Sequence, residues 1–409
     1  MATLVKVLCV DLELGMHVAS LDRPWLETSF VMQGFEIKTD EDIERLRKSC
    51  SYVYVDGELS RVDPKVVRRT ASDRPRKSKQ DIFPQKTLKP YQDAIAWDDE
   101  YPKAQVAVTG LSESINDIFQ NAAKGGTLEI SRIKKAVDPM INSITRNPDA
   151  CIWLARMKQE DKYTYQHSLG ASIWAVALGR QLGLPKSDLR SLAIGALLFD
   201  VGKLQLEKDL LNLERPLTEE EFTEVKKHVE LGLEAVRSNG VMNQDVIDMV
   251  ASHHERHDGS GYPIGLSGDA IPVFARIAAI VDCYDAITSH RSYARAIPPS
   301  VAIKKIYEWR DIDFQSELVE EFIQAIGIYP AGTLVELSSG EIAVVAAEYR
   351  TRRLRPKVMV LLDESKQPLE GMKMIDLLNV KETEDGRPME IVNSLEPDAY
   401  GIDMTAIHL

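Results

Sequence analysis

The chemistry of this chain concentrates in histidine and aspartate. Eight histidines occur in 409 residues, and His167, His228, His253 and His254 fall in one stretch of helical hydrophobic spacing. Asp200 and Asp282 accompany them. Each candidate lies on an expected helix or at its end, and facing helices can project such side chains into a shared core. Imidazole and carboxylate together suit transition metals such as iron, manganese or zinc. Adjacent imidazoles at His253 and His254 cost desolvation unless something binds them. Asp200 follows Ala196-Leu197-Leu198-Phe199, and Asp282 sits between Ile280-Val281 and Cys283-Tyr284. A carboxylate in such surroundings needs a partner, because an unpaired buried charge is expensive. A salt bridge would satisfy each one singly; only the set points to a metal.

The elements that must hold this set are helices. Hydrophobic positions at helical spacing run from about 104 to 327, first at Val106, Leu111, Ile115, Ile118 and Phe119, then at Ile130, Ile133, Val137, Ile141 and Ile144. Pro139 predicts a kink. Further helices are expected at about 163–182, 188–199, 219–238, 243–254, 272–289, 299–310 and 315–326, with a glycine-rich loop from Asp258 to Gly268. Residues 1–60 read as a small α+β domain: a strand near Val5–Val10, a helix capped at Thr39-Asp40, and a strand at Tyr52–Val55. Residues 61–103, rich in proline and locally basic, read as a solvated linker. From 328 to 409 the period switches to two. A hairpin at Thr333–Leu337 and Ile342–Val345 and a third strand at Lys357–Leu361 predict a small β module. The expected fold is mainly α: an all-helical bundle domain between a small α+β domain and a small β module.

Composition narrows the function. The net charge is -13, which repels phosphate backbones at long range and argues against nucleic acid as a partner. Cys9, Cys50, Cys151 and Cys283 form no CxxC pair, as expected for reduced cytoplasmic thiols. Acidic residues come too early for a signal peptide, and no apolar run is long enough for a membrane span. A cytoplasmic protein without membrane contact is expected.

Longer motifs then join the ligands. His253-His254-Glu255 followed by Asp258-Gly259-Ser260-Gly261-Tyr262-Pro263 resembles the HHE…DGxGYP signature of HD-GYP phosphodiesterases. Leu197-Leu198-Phe199-Asp200-Val201-Gly202-Lys203 resembles their LLHDxGK segment. Leu217-Thr218-Glu219-Glu220-Glu221 ahead of His228 resembles LTxEE…H. Ala275-Arg276-Ile277, Asp282, Asp285-Ala286 and Arg291-Ser292-Tyr293 resemble ARI…D..DA…RxY. These segments keep one order over about 160–327. Gly15-Met16-His17-Val18 with Pro24-Trp25 resembles a small domain of unknown role that often precedes this one, and the part after 328 resembles its usual C-terminal companion.

The resemblance implies hydrolysis of the bacterial second messenger cyclic di-GMP to linear pGpG, or onward to GMP. It implies one or two divalent metal ions, iron or manganese first, held by His167, Asp200, His228, His253, His254 and Asp282, with Asp200 bridging. Two such metals can activate a water and stabilise phosphoryl oxygens. Asp200 and Lys203 match catalytic positions, Lys203 and Arg291 positions facing substrate phosphate. Tyr262 matches the loop that closes over a guanine-bearing ligand, where Gly259 and Gly261 would let backbone approach the ligand.

The chain departs from the family pattern in three places. Phe199 stands where the motif has histidine, and phenylalanine cannot ligate a metal. The first metal position keeps His167, Asp200 and Asp282; the second, with Asp200, His228, His253 and His254, is complete. Ala294 replaces a basic residue, with Arg295 one position late. Tyr163 stands where members with three metals carry glutamate, so a third ion is not expected. His257 and His290 do not occupy the helix position of the missing ligand. The expected function is a cyclic di-GMP phosphodiesterase with an impaired first metal position. The alternatives are a catalytically inactive cyclic di-GMP receptor or regulatory interaction protein, or a hydrolase of another phosphoester. A protein partner at the GYP loop or N-terminal domain, and a homodimer, stay open.

Overall fold

The computed structural model describes residues 4–21, 34–50, 52–57, 59–62, 76–156, 163–215, 217–289, 295–350, 352–383 and 385–402. Its chain divides into two compact units, Met1–Ser78 and Lys79–Leu409.

In the first unit, strands β1 (Leu4–Leu8), β2 (His17–Leu21), β3 (Phe35–Glu36) and β4 (Tyr52–Asp56) form an antiparallel sheet in the order β1-β4-β2-β3. The expected strand over Val5–Val10 is shorter, because Cys9–Asp11 turn into a 3-10 helix. Helix α1 (Asp40–Ser49) starts where Thr39 caps it: the Asp42 amide donates to the Thr39 hydroxyl, and the Thr39 amide donates back to the Asp42 carboxylate. Ile43 and Leu46 of α1 are buried with Val18, Val53 and Val55 of the sheet.

The second unit is a helical bundle continued by a β module. Its helices are α2 (Lys79–Ile82), α3 (Trp97–Ala123), α4 (Ile130–Arg146), α5 (Pro148–Arg156), α6 (Tyr163–Leu182), α7 (Lys186–Leu198), α8 (Lys208–Leu211), α9 (Glu219–Lys226), α10 (His228–Ser238), α11 (Gln244–Ser252), α12 (Val273–Thr288), α13 (Pro299–Glu308) and α14 (Ser316–Ile326). The module is a five-stranded antiparallel sheet of β5 (Leu334–Leu337), β6 (Ile342–Ala347), β7 (Lys357–Leu362), β8 (Pro368–Asp376) and β9 (Ile391–Ser394), ordered β8-β7-β6-β5-β9. Leu334, Val344, Ala346 and Met359 of this sheet share the core of the bundle. No helix among the described residues is long and apolar enough to cross a membrane.

The linker expectation for 61–103 needs correction. Residues 63–75 lie outside the described ones, but from Lys79 the chain packs on the bundle. Ile82 and Phe83 are buried in its core. The Tyr91 hydroxyl donates to the Leu184 carbonyl at 2.9 Å, Lys89 and Gly183 pair through the backbone, and Arg180 binds Asp93 at 2.7 Å. These contacts make the segment a packed strap rather than a free coil. Helix α3 then begins at Trp97, seven residues ahead of the expected start, and runs on past Pro102. Val106, expected on the buried stripe, is 76% exposed, and Ala104, Ala107 and Val108 take the inner face. Pro139 stands inside α4, which continues as one helix to Arg146. The single helix expected over 219–238 is two, because Lys227 separates α9 from α10.

Glu100 ties α3 to α4. Its carboxylate is fully buried and accepts from Ser143 Oγ at 2.7 Å and from Arg146 Nε and Nη2 at 2.8 and 2.6 Å. Burial opposes ionisation, but these donors outweigh it and lower the Glu100 pKa. Breaking such a pair leaves its partner uncompensated, although Arg146 is one-third exposed and can reach water. Glu100→Ala should therefore lose about 2–3 kcal/mol of stability, read as a lower midpoint in urea unfolding.

Candidate metal centre

Five segments of the bundle meet at one buried cluster. Helix α6 carries His167. Helix α7 ends at Leu198 with Phe199 as its C-cap, and Asp200 follows at the start of a 3-10 turn, Val201–Gln205, closed by the Lys203 amide on the Asp200 carbonyl. Helix α10 opens with His228, α11 closes into His253 and His254, and α12 carries Asp282 and Asp285. His167, Asp200, His228 and His253 are at most 2% exposed.

Close backbone contact sets the spacing between the Asp200 turn and α10. A Cβ on Gly202 would lie 2.0 Å from the His228 carbonyl oxygen and 2.5 Å from the Gly232 amide. Only glycine permits this approach. Gly202→Ala should push α10 outward and weaken metal binding about ten-fold or more, as when groups that position ligands are lost. A metal titration followed by isothermal calorimetry reads this directly.

Two groups of candidate ligands share Asp200. One is Asp200, His228, His253 and His254; the other is His167, Asp200 and Asp282. The two oxygens of Asp200 divide between them. Oδ1 lies 3.4 Å from His228 Nε2 and 3.7 Å from His253 Nε2, whereas Oδ2 lies 3.6 Å from His167 Nε2. Lys203 Nζ also reaches Oδ2, at 2.6 Å.

The first of these groups has the chemistry of a cation site. His228 Nδ1 donates to the Val225 carbonyl at 2.7 Å, and His253 Nδ1 to the carbonyls of Met249 and Val250 at 3.2 and 3.1 Å. Both rings therefore turn unprotonated Nε2 atoms toward each other, 3.4 Å apart, and toward Asp200. Asp200 Oδ1 is buried without a hydrogen-bond donor. Lone pairs and an anionic oxygen converge, and a divalent cation fits that arrangement. Burial, with Lys203 and His253 adding, pushes His228 down to about 4 against the pull of Asp200. Burial and His253 likewise hold His254 well below the ordinary imidazole range. Neutral imidazoles are the ligating form. Burial would raise Asp200, but the Lys203 ammonium on Oδ2 outweighs it and keeps the carboxylate ionised.

In the other group both ring nitrogens of His167 face carboxylates. His167 Nε2 lies 3.0 Å from Asp282 Oδ1, and its Nδ1 lies 2.9 Å from Asp285 Oδ2. Burial opposes protonation of His167, yet the two carboxylates outweigh it and raise the pKa. Asp285 is itself held by the Trp174 indole at 2.9 Å. Asp285 and Trp174 orient His167; the sequence motif contains Asp285, but only the fold reveals its partner. Phe199 is fully buried. Its ring stacks on His253 at 4.8 Å and 18° and lies 5.7 Å from His167, so an apolar face borders both groups.

The loop after His254 is built around a buried carboxylate. Glu255 accepts from the amides of Ile264, Gly265 and Leu266. Gly261 has a different task from the expected approach to a ligand. A Cβ there would meet the backbone of His254, Glu255 and Arg256 at 2.4–2.5 Å, so glycine lets the loop fold onto its own stem. Gly259 is needed for its φ of 86°. Tyr262 stacks over His254 at 4.6 Å and 27°. Arg291, Ala294 and His290 lie outside the described residues. His257 belongs to neither ligand group.

Comparison with known proteins identifies the family. A family model described as HD domain matches residues 142–316. A domain of unknown function (DUF3391) matches 4–133, and a KOW domain associated with HD domain matches 334–383. The cyclic di-GMP phosphodiesterase PA4108 of Pseudomonas aeruginosa is 32% identical over 385 residues, covering 93% of this chain and 91% of that protein. The chain belongs to the HD-GYP family. The 3'3'-cGAMP-specific phosphodiesterase 2 of Vibrio cholerae is 27% identical over 248 residues, covering 60% of this chain and 48% of that protein. A solved structure, Bd1817, an HDG"Y"P protein from Bdellovibrio bacteriovorus, aligns over 78% of this chain and 98% of that one, with 19% identity and a TM-score of 0.46. The N-terminal match runs to residue 133, through the strap and α3, well past the expected boundary at 60.

Proposed function

We propose that this chain is a metal-dependent phosphodiesterase that hydrolyses cyclic di-GMP to linear pGpG, and onward to GMP where the linear product rebinds. In this reading it works with one complete metal group, Asp200, His228, His253 and His254. The observation that carries it is the convergence of histidine lone pairs on a buried Asp200 oxygen that has no donor of its own. Identity of 32% over 93% of this chain to a named cyclic di-GMP phosphodiesterase supports the substrate. Iron or manganese suits the ligand set.

A divalent ion held there supplies Lewis-acid activation of a water and of a phosphoryl oxygen. The protein does the rest. Asp200 is kept ionised and shared between the two groups. Lys203, paired to Asp200 Oδ2 and 22% exposed, presents a cation to the non-bridging phosphate oxygens as their charge redistributes. Tyr262 covers His254 and shields that side of the site from solvent. His167, Asp200 and Asp282 still converge, with Phe199 at the position of the missing ligand. That last observation also favours the alternative, a receptor that binds cyclic di-GMP without turnover.

One incubation separates the two. Protein loaded with manganese or ferrous ion under reducing conditions should release pGpG or GMP from cyclic di-GMP, and a chelator should stop it. Stripping the metal should also lower the melting temperature by several degrees, since a ligand at 1,000-fold its Kd contributes about 4 kcal/mol. Tight binding of cyclic di-GMP with no product would leave the receptor reading standing.

A further inference from the structure

We infer that Phe222, Lys226 and Tyr262 form a base platform beside the metal group: a purine of the substrate stacks on Phe222, and the Lys226 ammonium reads the guanine edge. The inference rests on the phosphodiesterase reading above and extends it to base recognition.

Helix α9 has no buried residue, so Phe222 does not serve the core; the residue is 42% exposed. Thr218 and Glu221 fix the helix start through a capping box, and Arg215 holds Glu221 by two contacts of 2.7 Å. On the anchored helix Phe222 and Lys226 stand four residues apart, on one face. Lys226 Nζ lies 4.6 Å from the Phe222 ring centre and 5.1 Å from that of Tyr262. The two rings meet edge to face, 6.0 Å apart at 85°. Tyr262 in turn stacks on His254. A continuous run of rings therefore leads from a candidate metal ligand to an exposed aromatic face, within a nucleotide's reach. Lys227, the neighbour of Lys226, is paired with Glu224. Lys226 has no carboxylate partner among the described residues and is held over the rings instead.

That combination has a specific complement. Every base offers a π-face to an aromatic ring, so Phe222 supplies affinity without choice. Choice comes from the ammonium. Guanine presents two acceptors, O6 and N7, whereas adenine places an amino donor where guanine has O6. A lysine there favours guanine and disfavours adenine.

The test compares kcat/KM for three probes: cyclic di-GMP, cyclic di-AMP, and bis(p-nitrophenyl) phosphate, a phosphodiester with no base. In Phe222→Ala, the ratio of cyclic di-GMP to the base-free diester should fall roughly ten-fold. In Lys226→Met, the ratio of cyclic di-GMP to cyclic di-AMP should fall by a similar factor. Both positions lie at the surface of α9, and circular dichroism checks that the variants fold. If the wild type binds without turnover, the same ratios are read from Kd values for the two cyclic dinucleotides. Ratios within two-fold of wild type in both variants overturn the platform. A wild type that cleaves the base-free diester but neither cleaves nor binds cyclic di-GMP overturns the function on which the platform rests, and that outcome is distinct from the first.

Discussion

Asp200→Ala should reduce kcat/KM for cyclic di-GMP at least about 100-fold, because loss of a shared ligand must exceed the 10–100-fold cost of losing groups that merely orient ligands. Both candidate groups contain Asp200, one through each oxygen, so a single substitution dismantles both. Bound metal should fall close to zero by elemental analysis. Folding should survive. Asp200 lies at the end of α7, not among the apolar contacts that pack it, and the removed charge is one that burial opposes. Retained far-ultraviolet dichroism with lost metal and lost turnover is the expected pattern. A variant that keeps both its metal and its activity would remove Asp200 from the site.

Phe199→His should act in the opposite sense. The Phe199 ring already touches the edge of both groups, stacked on His253 and 5.7 Å from His167. An imidazole at the same position would add a nitrogen ligand to His167, Asp200 and Asp282. Metal content should rise from about one ion per chain toward two, and kcat should rise about ten-fold or more, the scale on which ligand support controls such sites. The gain has a counterpart in stability. Without metal, a buried imidazole replaces a fully buried phenyl ring and should cost about 1–3 kcal/mol, and metal should restore much of it. Unchanged stoichiometry and unchanged kcat would show that Phe199 is not what limits the site.

Much of this site was legible before any fold was known, for a physical reason. Metal ligands must be of a few residue types, and the backbone that presents them repeats in fixed local patterns. So His167, Asp200, His228, His253, His254 and Asp282 could be found by type and order, and the structure brings all six together. The long apolar periods likewise announced the helices that carry them. What could not be read depends on contacts between distant segments. Asp285 is one carboxylate among many until Trp174 and His167 are seen on either side of it. Glu255 and Gly261 serve the loop's own packing, which spacing does not express. The strap from Lys79 misled because its prolines and charges match those of a free linker. Its attachments are scattered anchors, among them Phe83, Tyr91 and Asp93, and they follow no period.

The departure at Phe199 gains meaning from the geometry. It leaves the Asp200, His228, His253 and His254 group whole and puts a phenyl ring beside the group of His167, Asp200 and Asp282. The central claim is that this one complete group carries hydrolysis. Its most direct test is metal titration and product analysis on the same sample of the 409-residue chain, stripped of metal and refilled with manganese under reducing conditions. The account predicts saturation at one ion per chain, with pGpG appearing from cyclic di-GMP in proportion to the occupied fraction. Saturation at one ion with bound cyclic di-GMP and no product, or activity that begins only as a second ion binds, would contradict it.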